Sequence, residues 1–156
     1  MTEQEAITAE GLEALQAELE DLEGPRRREM AKRIKAAREL GDLKENAEYH
    51  IAKDDQAHLE TRIKRIRERL GKAVVVEADA SASVFAFGRT AVVRDLESDE
   101  TNTWTLVGAT EADPKEGKLS AESPVGRAMR DAPVGQEISF ETPRGAKTYR
   151  VEELLD

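Results

Sequence analysis

Along one stripe of the chain, Tyr49, Ala52, Gln56, Leu59, Ile63, Ile66 and Leu70 recur at alternating steps of three and four. That is a heptad seam, and it predicts a helix of about 20 residues or more. Earlier in the chain Leu12, Leu15, Leu19 and Leu22 keep the same rhythm, and Met30, Ile34 and Ala37 resume it in a shifted phase. Two helices with apolar stripes and a very short connection pack antiparallel. Reflection about the junction sets Leu19 beside Leu70, Leu15 beside Val74, Met30 beside Leu59 and Ala37 beside Ala52, with one polar gap near Arg26. The stretch from Leu70 back to the junction then extends on the order of 40 Å. Pro25, directly after Gly24, leaves open whether the first arm is kinked or broken into two helices.

From Val75 to Phe87 the helical period dissolves, and the remainder reads as strand and turn. The best strands are 91–93, 103–107, 137–140 and 148–151, rich in β-branched and aromatic residues. Gly88, Ser98-Asp99, Asp113-Pro114, Pro133 and Pro143-Arg144-Gly145 punctuate them as turns. Ser123 to Met129 reads as a short helix, with Ser123 at the N-cap and Pro124 at its first position. Five of the six aromatic residues lie in this half, which places a globular core there. The expected fold class is α+β: an N-terminal antiparallel coiled-coil hairpin over 1–77, then a β-sheet domain with a short helix over 78–156, the boundary falling within Glu77 to Ser83.

Composition agrees with a two-part molecule of 156 residues, since 37% charged and 4% aromatic residues suit a coiled coil. A net charge of -9 argues against indiscriminate nucleic-acid binding, so contact with phosphate requires a local patch. The absence of cysteine excludes disulfides, thiolate metal sites and cysteine nucleophiles. No apolar run approaches the length that crosses a membrane, and Met1 to Gly11 is acidic rather than signal-like. The expectation is a cytoplasmic protein, and a monomer because the hairpin satisfies its own seam.

The candidate chemistry lies at the junction, Gly41-Asp42-Leu43-Lys44-Glu45-Asn46-Ala47-Glu48-Tyr49. Gly41 suits the position just past a helix end, and Asp42 followed by Glu45 has the spacing of a capping box for the next helix. The same two carboxylates, on the exposed end of a rod and about one helical turn apart, also suit an oxygen-seeking cation such as Mg2+. Two are too few for a complete cage, so a partner would have to supply the rest of such a site.

Two basic runs differ in what opposes them. Arg62 to Lys72 carries six basic residues in eleven, and the reflection sets it beside Glu18, Glu20, Asp21 and Glu23, which favours interhelical pairing. Arg26 to Arg38 carries seven in thirteen with only Glu29 opposed within the run, leaving positive charge for phosphates near the tip. His50 and His58 form no catalytic pair, and no phosphate-cradling glycine motif is present.

The nonapeptide with its flanks Ala37-Arg38 and Ala52-Lys53 resembles the tip motif of the GreA/GreB family of bacterial transcript cleavage factors. Thr8 to Leu12, Glu18-Leu19, Leu22, Val107-Gly108, Glu111 to Pro114, Ser123 to Ala128 and Thr142-Pro143 continue the resemblance in order through both parts of the chain. Leu43, Lys44 and Glu48 resemble the GreA version of the tip, and Ala109-Thr110 departs from the more polar or acidic pair common in the family. The resemblance implies an accessory factor of RNA polymerase whose hairpin enters the secondary channel and stimulates cleavage of the RNA 3′ end extruded in backtracked complexes. It would do so without being an enzyme by itself. Asp42 and Glu45 would hold the second Mg2+ of a site shared with the polymerase, Arg38 and Lys53 would meet the RNA, and Asn46 and Tyr49 would support the tip. The C-terminal part resembles the family's module related in fold to FKBP prolyl isomerases, where Ser123, Pro124 and Val125 would lie near the polymerase contact. Fold carries no isomerase activity with it. A non-hydrolytic occupant of the same channel and a coiled-coil scaffold with an unrelated partner are the alternative readings.

Overall fold

The computed structural model describes residues 4–155. Its elements run β1 (Glu5–Ile7), α1 (Ala9–Asp21), a π turn (Leu22–Arg26), α2 (Arg27–Arg38), α3 (Ala47–Lys72), β2 (Ala73–Val75), β3 (Thr90–Asp95), β4 (Thr101–Val107), a 3-10 turn (Pro114–Glu116), β5 (Lys118–Ser120), α4 (Pro124–Met129), β6 (Glu137–Thr142) and β7 (Gly145–Leu155). The fold class is the expected one, a helical hairpin and a mixed β-sheet with a short helix. Residues 12–72 form one compact unit, and residues 4–11 with 73–155 form the other.

The hairpin is built on the heptad seam. All seven seam positions of α3 are buried or half-buried, with Ala52, Ile63 and Ile66 almost fully enclosed, and between Tyr49 and Leu70 only Asp55 joins them. With 26 residues, α3 is about 39 Å long. On the facing arm Leu15, Ile34 and Ala37 are buried. Ion pairs cross the hairpin at Arg27–Glu60 (2.7 Å), Arg33–Asp55 (2.7 Å), Arg62–Glu18 (2.7 Å) and Arg67–Glu23; the last two bear out interhelical pairing at Arg62 and Arg67 of the second basic run, and the first two engage the first run as well. Each is partly exposed and so screened by solvent, which leaves the seam to carry the association and the charges to tune it.

Pro25 does not break the arm into separate helices: it lies inside the π turn, with Asp21, Arg26 and Arg27 all in right-handed helical geometry. The apolar pattern explains this. One heptad beyond Leu22 is Glu29, but the apolar residue is Met30, one position later. A π turn closes i→i+5 and so takes in one residue more than an α turn, which absorbs the phase shift at the place where proline has already removed an N–H donor.

The second unit holds a five-stranded sheet in the order β5-β4-β3-β7-β6, antiparallel throughout except for the parallel β4–β5 pair. Along β3 the side chains alternate, with Ala91, Val93 and Asp95 buried and the residues between them half-buried. Phe85, Phe87, Leu106, Met129 and Val151 complete the core, with Trp104, Ile138 and Tyr149 packed at its margin. The four strands expected from the sequence are β3, β4, β6 and β7; three short strands, β1, β2 and β5, were not legible. Of these β1 and β2 pair in parallel, Ala6 opposite Val74, although both belong to the stretch assigned to the hairpin from the sequence. Buried Arg89 donates from Nη1 to the carbonyls of Asp79 (3.0 Å) and Ala82 (2.6 Å), fixing the irregular segment that precedes β3.

Candidate functional site

The junction is a loop between two helix ends, and its shape follows from what terminates each helix. At the end of α2 the hydrogen bonds tighten to i→i−3, Leu40 N–H to Ala37 C=O at 3.1 Å and Gly41 N–H to Arg38 C=O at 3.5 Å. Gly41 then turns the chain with φ +128°, a region that side chains disfavour. Residues 43–45 form a turn, and α3 begins only at Ala47.

This corrects the capping-box expectation. Asp42 does not cap α3; its Oδ1 accepts from Lys44 N–H at 2.9 Å and closes a local turn. The capping residue is Asn46, whose Oδ1 accepts from Tyr49 N–H at 3.0 Å. Its Nδ2 donates across the hairpin to Ala37 C=O, so one side chain joins the start of α3 to the end of α2. The sequence contained this signal, an asparagine followed two residues later by Glu48 in the first helical turn, but the Asp42–Glu45 spacing competed with it.

Freed from capping, both carboxylates are exposed, and neither forms an ion pair among the described residues. Asp42 keeps Oδ2 open while Oδ1 is held by the turn. No group of three or more His, Asp or Glu side chains able to hold a metal ion occurs among the described residues. The donor set is therefore two carboxylates in one short loop. That suits a hard cation such as Mg2+ when waters and another molecule's oxygens complete its octahedron.

The flanking residues are placed around this loop. Tyr49 is half-buried, with the Arg38 guanidinium 5.9 Å from its ring centroid. Arg38 and Lys53 are exposed, and Lys53 Nζ donates to Gln56 Oε1 at 3.1 Å. Of the first basic run, Arg27 and Arg33 are in cross-hairpin ion pairs, while Arg26, Arg28, Lys32, Lys35 and Arg38 form none among the described residues. The hydrogen bond between Arg27 and Glu60 raises the pKa of the guanidinium and lowers that of the carboxyl, so this pair stays ionised and contributes no free charge. Leu40, Leu43 and Ile51 are 71%, 41% and 55% exposed around the loop, and the heptad rhythm passes over all three. On the strand-bearing unit, Ser123 caps α4, accepting from Gly126 N–H at 3.0 Å and donating to Ser120 C=O at 2.7 Å. Val125 packs on the core, and Pro124 alone of the three is exposed.

Residues 5–75 match the family model described as "Transcription elongation factor, N-terminal", and residues 80–155 match "Transcription elongation factor, GreA/GreB, C-term". Among similar curated proteins, transcription elongation factor GreA of Nautilia profundicola is 44% identical over 96% of this chain and 93% of its own length. That of Alkaliphilus oremlandii is 45% identical over 93% of this chain and 92% of its own. Among solved structures, the GreA factor homolog 1 protein of Thermus thermophilus is 28% identical, with 98% of this chain and 99% of that chain covered at a TM-score of 0.44.

Proposed function

The chain belongs to the GreA/GreB family of transcription elongation factors, and from that premise we propose that it enters the secondary channel of RNA polymerase and stimulates cleavage of the RNA 3′ end in backtracked complexes. The observation that carries this reading is the pair of exposed carboxylates, Asp42 and Glu45, in the loop joining α2 to the 26-residue α3, with no group of three possible metal-holding side chains among the described residues. Such a pair is half of a site. Asp42 and Glu45, together with carboxylates of the polymerase, would hold Mg2+, which would supply an activated water and charge stabilisation for phosphodiester hydrolysis. Asp42 contributes its open Oδ2, oriented by the bond from Lys44 N–H to Oδ1, and Glu45 contributes from the same turn. The unpaired cations of α2, ending in Arg38, and Lys53 on α3 attract the phosphates of the extruded RNA, while Asn46 and Tyr49 hold the loop in place. The strand-bearing unit docks on the polymerase through exposed Pro124, presented by the helix that Ser123 caps and Val125 anchors. In this reading the protein is a cofactor of the polymerase rather than an enzyme in isolation.

The test is RNA cleavage in a stalled, backtracked elongation complex with Mg2+, comparing the wild type with Asp42→Ala, Glu45→Ala and the double variant. Wild-type stimulation, lost by about two orders of magnitude or more in the variants while polymerase binding persists, is the expected result. Binding without stimulation by the wild type would make the protein a channel-occupying regulator instead, and absence of binding would leave a scaffold.

A further inference from the structure

Lys44 is held through both of its flanking peptide groups. Its N–H donates to Asp42 Oδ1 at 2.9 Å, and its carbonyl oxygen lies 3.2 Å from His50 Nε2. A carbonyl oxygen carries no hydrogen, so this contact is a hydrogen bond only when Nε2 bears the proton, and His50 is the donor. The imidazole is itself steadied. Tyr49 meets it edge-on with ring centroids 5.8 Å apart, and the His50 backbone N–H anchors the residue in the first turn of α3 by donating to Asn46 C=O at 3.1 Å. The carbonyl it grips belongs to the peptide between Lys44 and Glu45. Because that peptide is planar, fixing its oxygen fixes the direction in which the Glu45 Cα leaves the loop. The nearer face of the same residue is tied to the Asp42 carboxylate. The backbone that carries both carboxylates of the tip is therefore pinned on one side by Asp42 and on the other by His50.

Resting on the cleavage-factor reading above, we propose that His50 is a positioning residue for that reaction: its Nε2–H locks the Lys44–Glu45 peptide so that Asp42 and Glu45 are presented to the shared cation together. His50 reaches no reacting atom in this role. An exposed imidazole without an acid partner, set aside as a catalytic group from the sequence, acquires a function through the one backbone oxygen it reaches. Both the Nε2–H tautomer and the imidazolium donate, so the role does not require the ring to change charge during the reaction.

The test compares wild type, His50→Phe and His50→Gln. Phenylalanine keeps a flat ring and removes the donor, whereas the glutamine amide nitrogen takes up approximately the place of Nε2. In backtracked complexes His50→Phe should require about three- to tenfold more Mg2+ for half-maximal cleavage, the loss of one ordinary hydrogen bond. Its affinity for the polymerase should remain unchanged, and His50→Gln should recover most of the wild-type Mg2+ dependence. In the free protein, amide hydrogen exchange at Lys44, whose N–H is bonded to Asp42, should accelerate in His50→Phe and return toward wild type in His50→Gln. Wild-type Mg2+ dependence and wild-type exchange in His50→Phe would overturn the proposal. So would a glutamine variant that behaves like phenylalanine with α3 intact by circular dichroism. If the wild type binds polymerase without stimulating cleavage, the cleavage-factor reading itself fails and takes the positioning role with it. Wild-type stimulation with an unaffected His50→Phe refutes the positioning role alone.

Discussion

Removing the Asn46 side chain should loosen the tip in an amount that the geometry allows to be worked out. Asn46→Ala deletes two bonds, the cap on Tyr49 N–H at 3.0 Å and the link from Nδ2 to the Ala37 carbonyl. An asparagine-to-alanine change at a cap costs about 1 kcal/mol. The Ala37 carbonyl keeps a second donor, Leu40 N–H at 3.1 Å, so it is not orphaned, and the cross-hairpin link contributes about 1 kcal/mol net. The sum, about 2 kcal/mol, corresponds to an increase of roughly 30-fold in the opening equilibrium of the first turn of α3. Amide hydrogen exchange read residue by residue is the suitable assay, because local opening at a loop need not appear in global unfolding. Exchange at Tyr49 should rise by about that factor, with little change at Ile63 and Ile66. Asn46→Ser keeps a capping oxygen and loses the link to α2, so it should fall about midway. Equal exchange at Tyr49 in wild type and Asn46→Ala would refute the assignment of Asn46 as the cap. A serine variant identical to wild type would refute the cross-hairpin contribution.

Three further outcomes follow from packing, phase and charge. Ile66→Ala, at a fully buried seam position, should destabilise the hairpin by about 2–5 kcal/mol in urea unfolding, and an effect below about 1 kcal/mol would show that the arms do not close on that side chain. Deleting Gly24 together with Pro25→Ala should convert the π turn into an α turn and preserve helical circular dichroism, since both apolar stripes stay in phase; a marked loss of helicity would show that the π turn serves another purpose. In the strand-bearing unit the Asp95 carboxyl is held below its usual range by the backbone N–H groups of Glu97 and Ser98, and Glu152 by its hydrogen bond to Arg150. Folded-state values that lie below the unfolded ones give stabilisation that is complete above about pH 5 and is lost as pH falls through about 4 and below. Urea midpoints should therefore drop across that window, and Asp95→Asn should flatten the profile; a pH-independent midpoint would contradict these bonds.

How much was legible in advance differs between the two halves for a physical reason. Helical contacts are local and periodic, so a heptad stripe states which face is buried before any partner is known, and the seam of α3 follows the stripe residue by residue. The phase shift between Leu22 and Met30 was equally visible, but only the folded arm shows that a π turn absorbs it. Strands β3, β4, β6 and β7 carried enough β-branched and aromatic residues to be read, whereas β1, β2 and β5, three residues each, exist only because another strand lies beside them. The tip is the sharpest case. The sequence identified Asp42, Glu45, Asn46 and Tyr49 as a group, and an exposed pair of carboxylates short of a full metal site. It pointed to Asp42 as the cap of α3 where the structure has Asn46, because both types satisfy the same backbone donors and the choice depends on where α2 ends and which carbonyl comes within reach. Nor could it bring His50 to the Lys44 carbonyl, since that contact needs the turn already folded. Local periodicity and residue chemistry determined the elements and the candidate carboxylates; the meeting of two helix ends decided how those carboxylates are held.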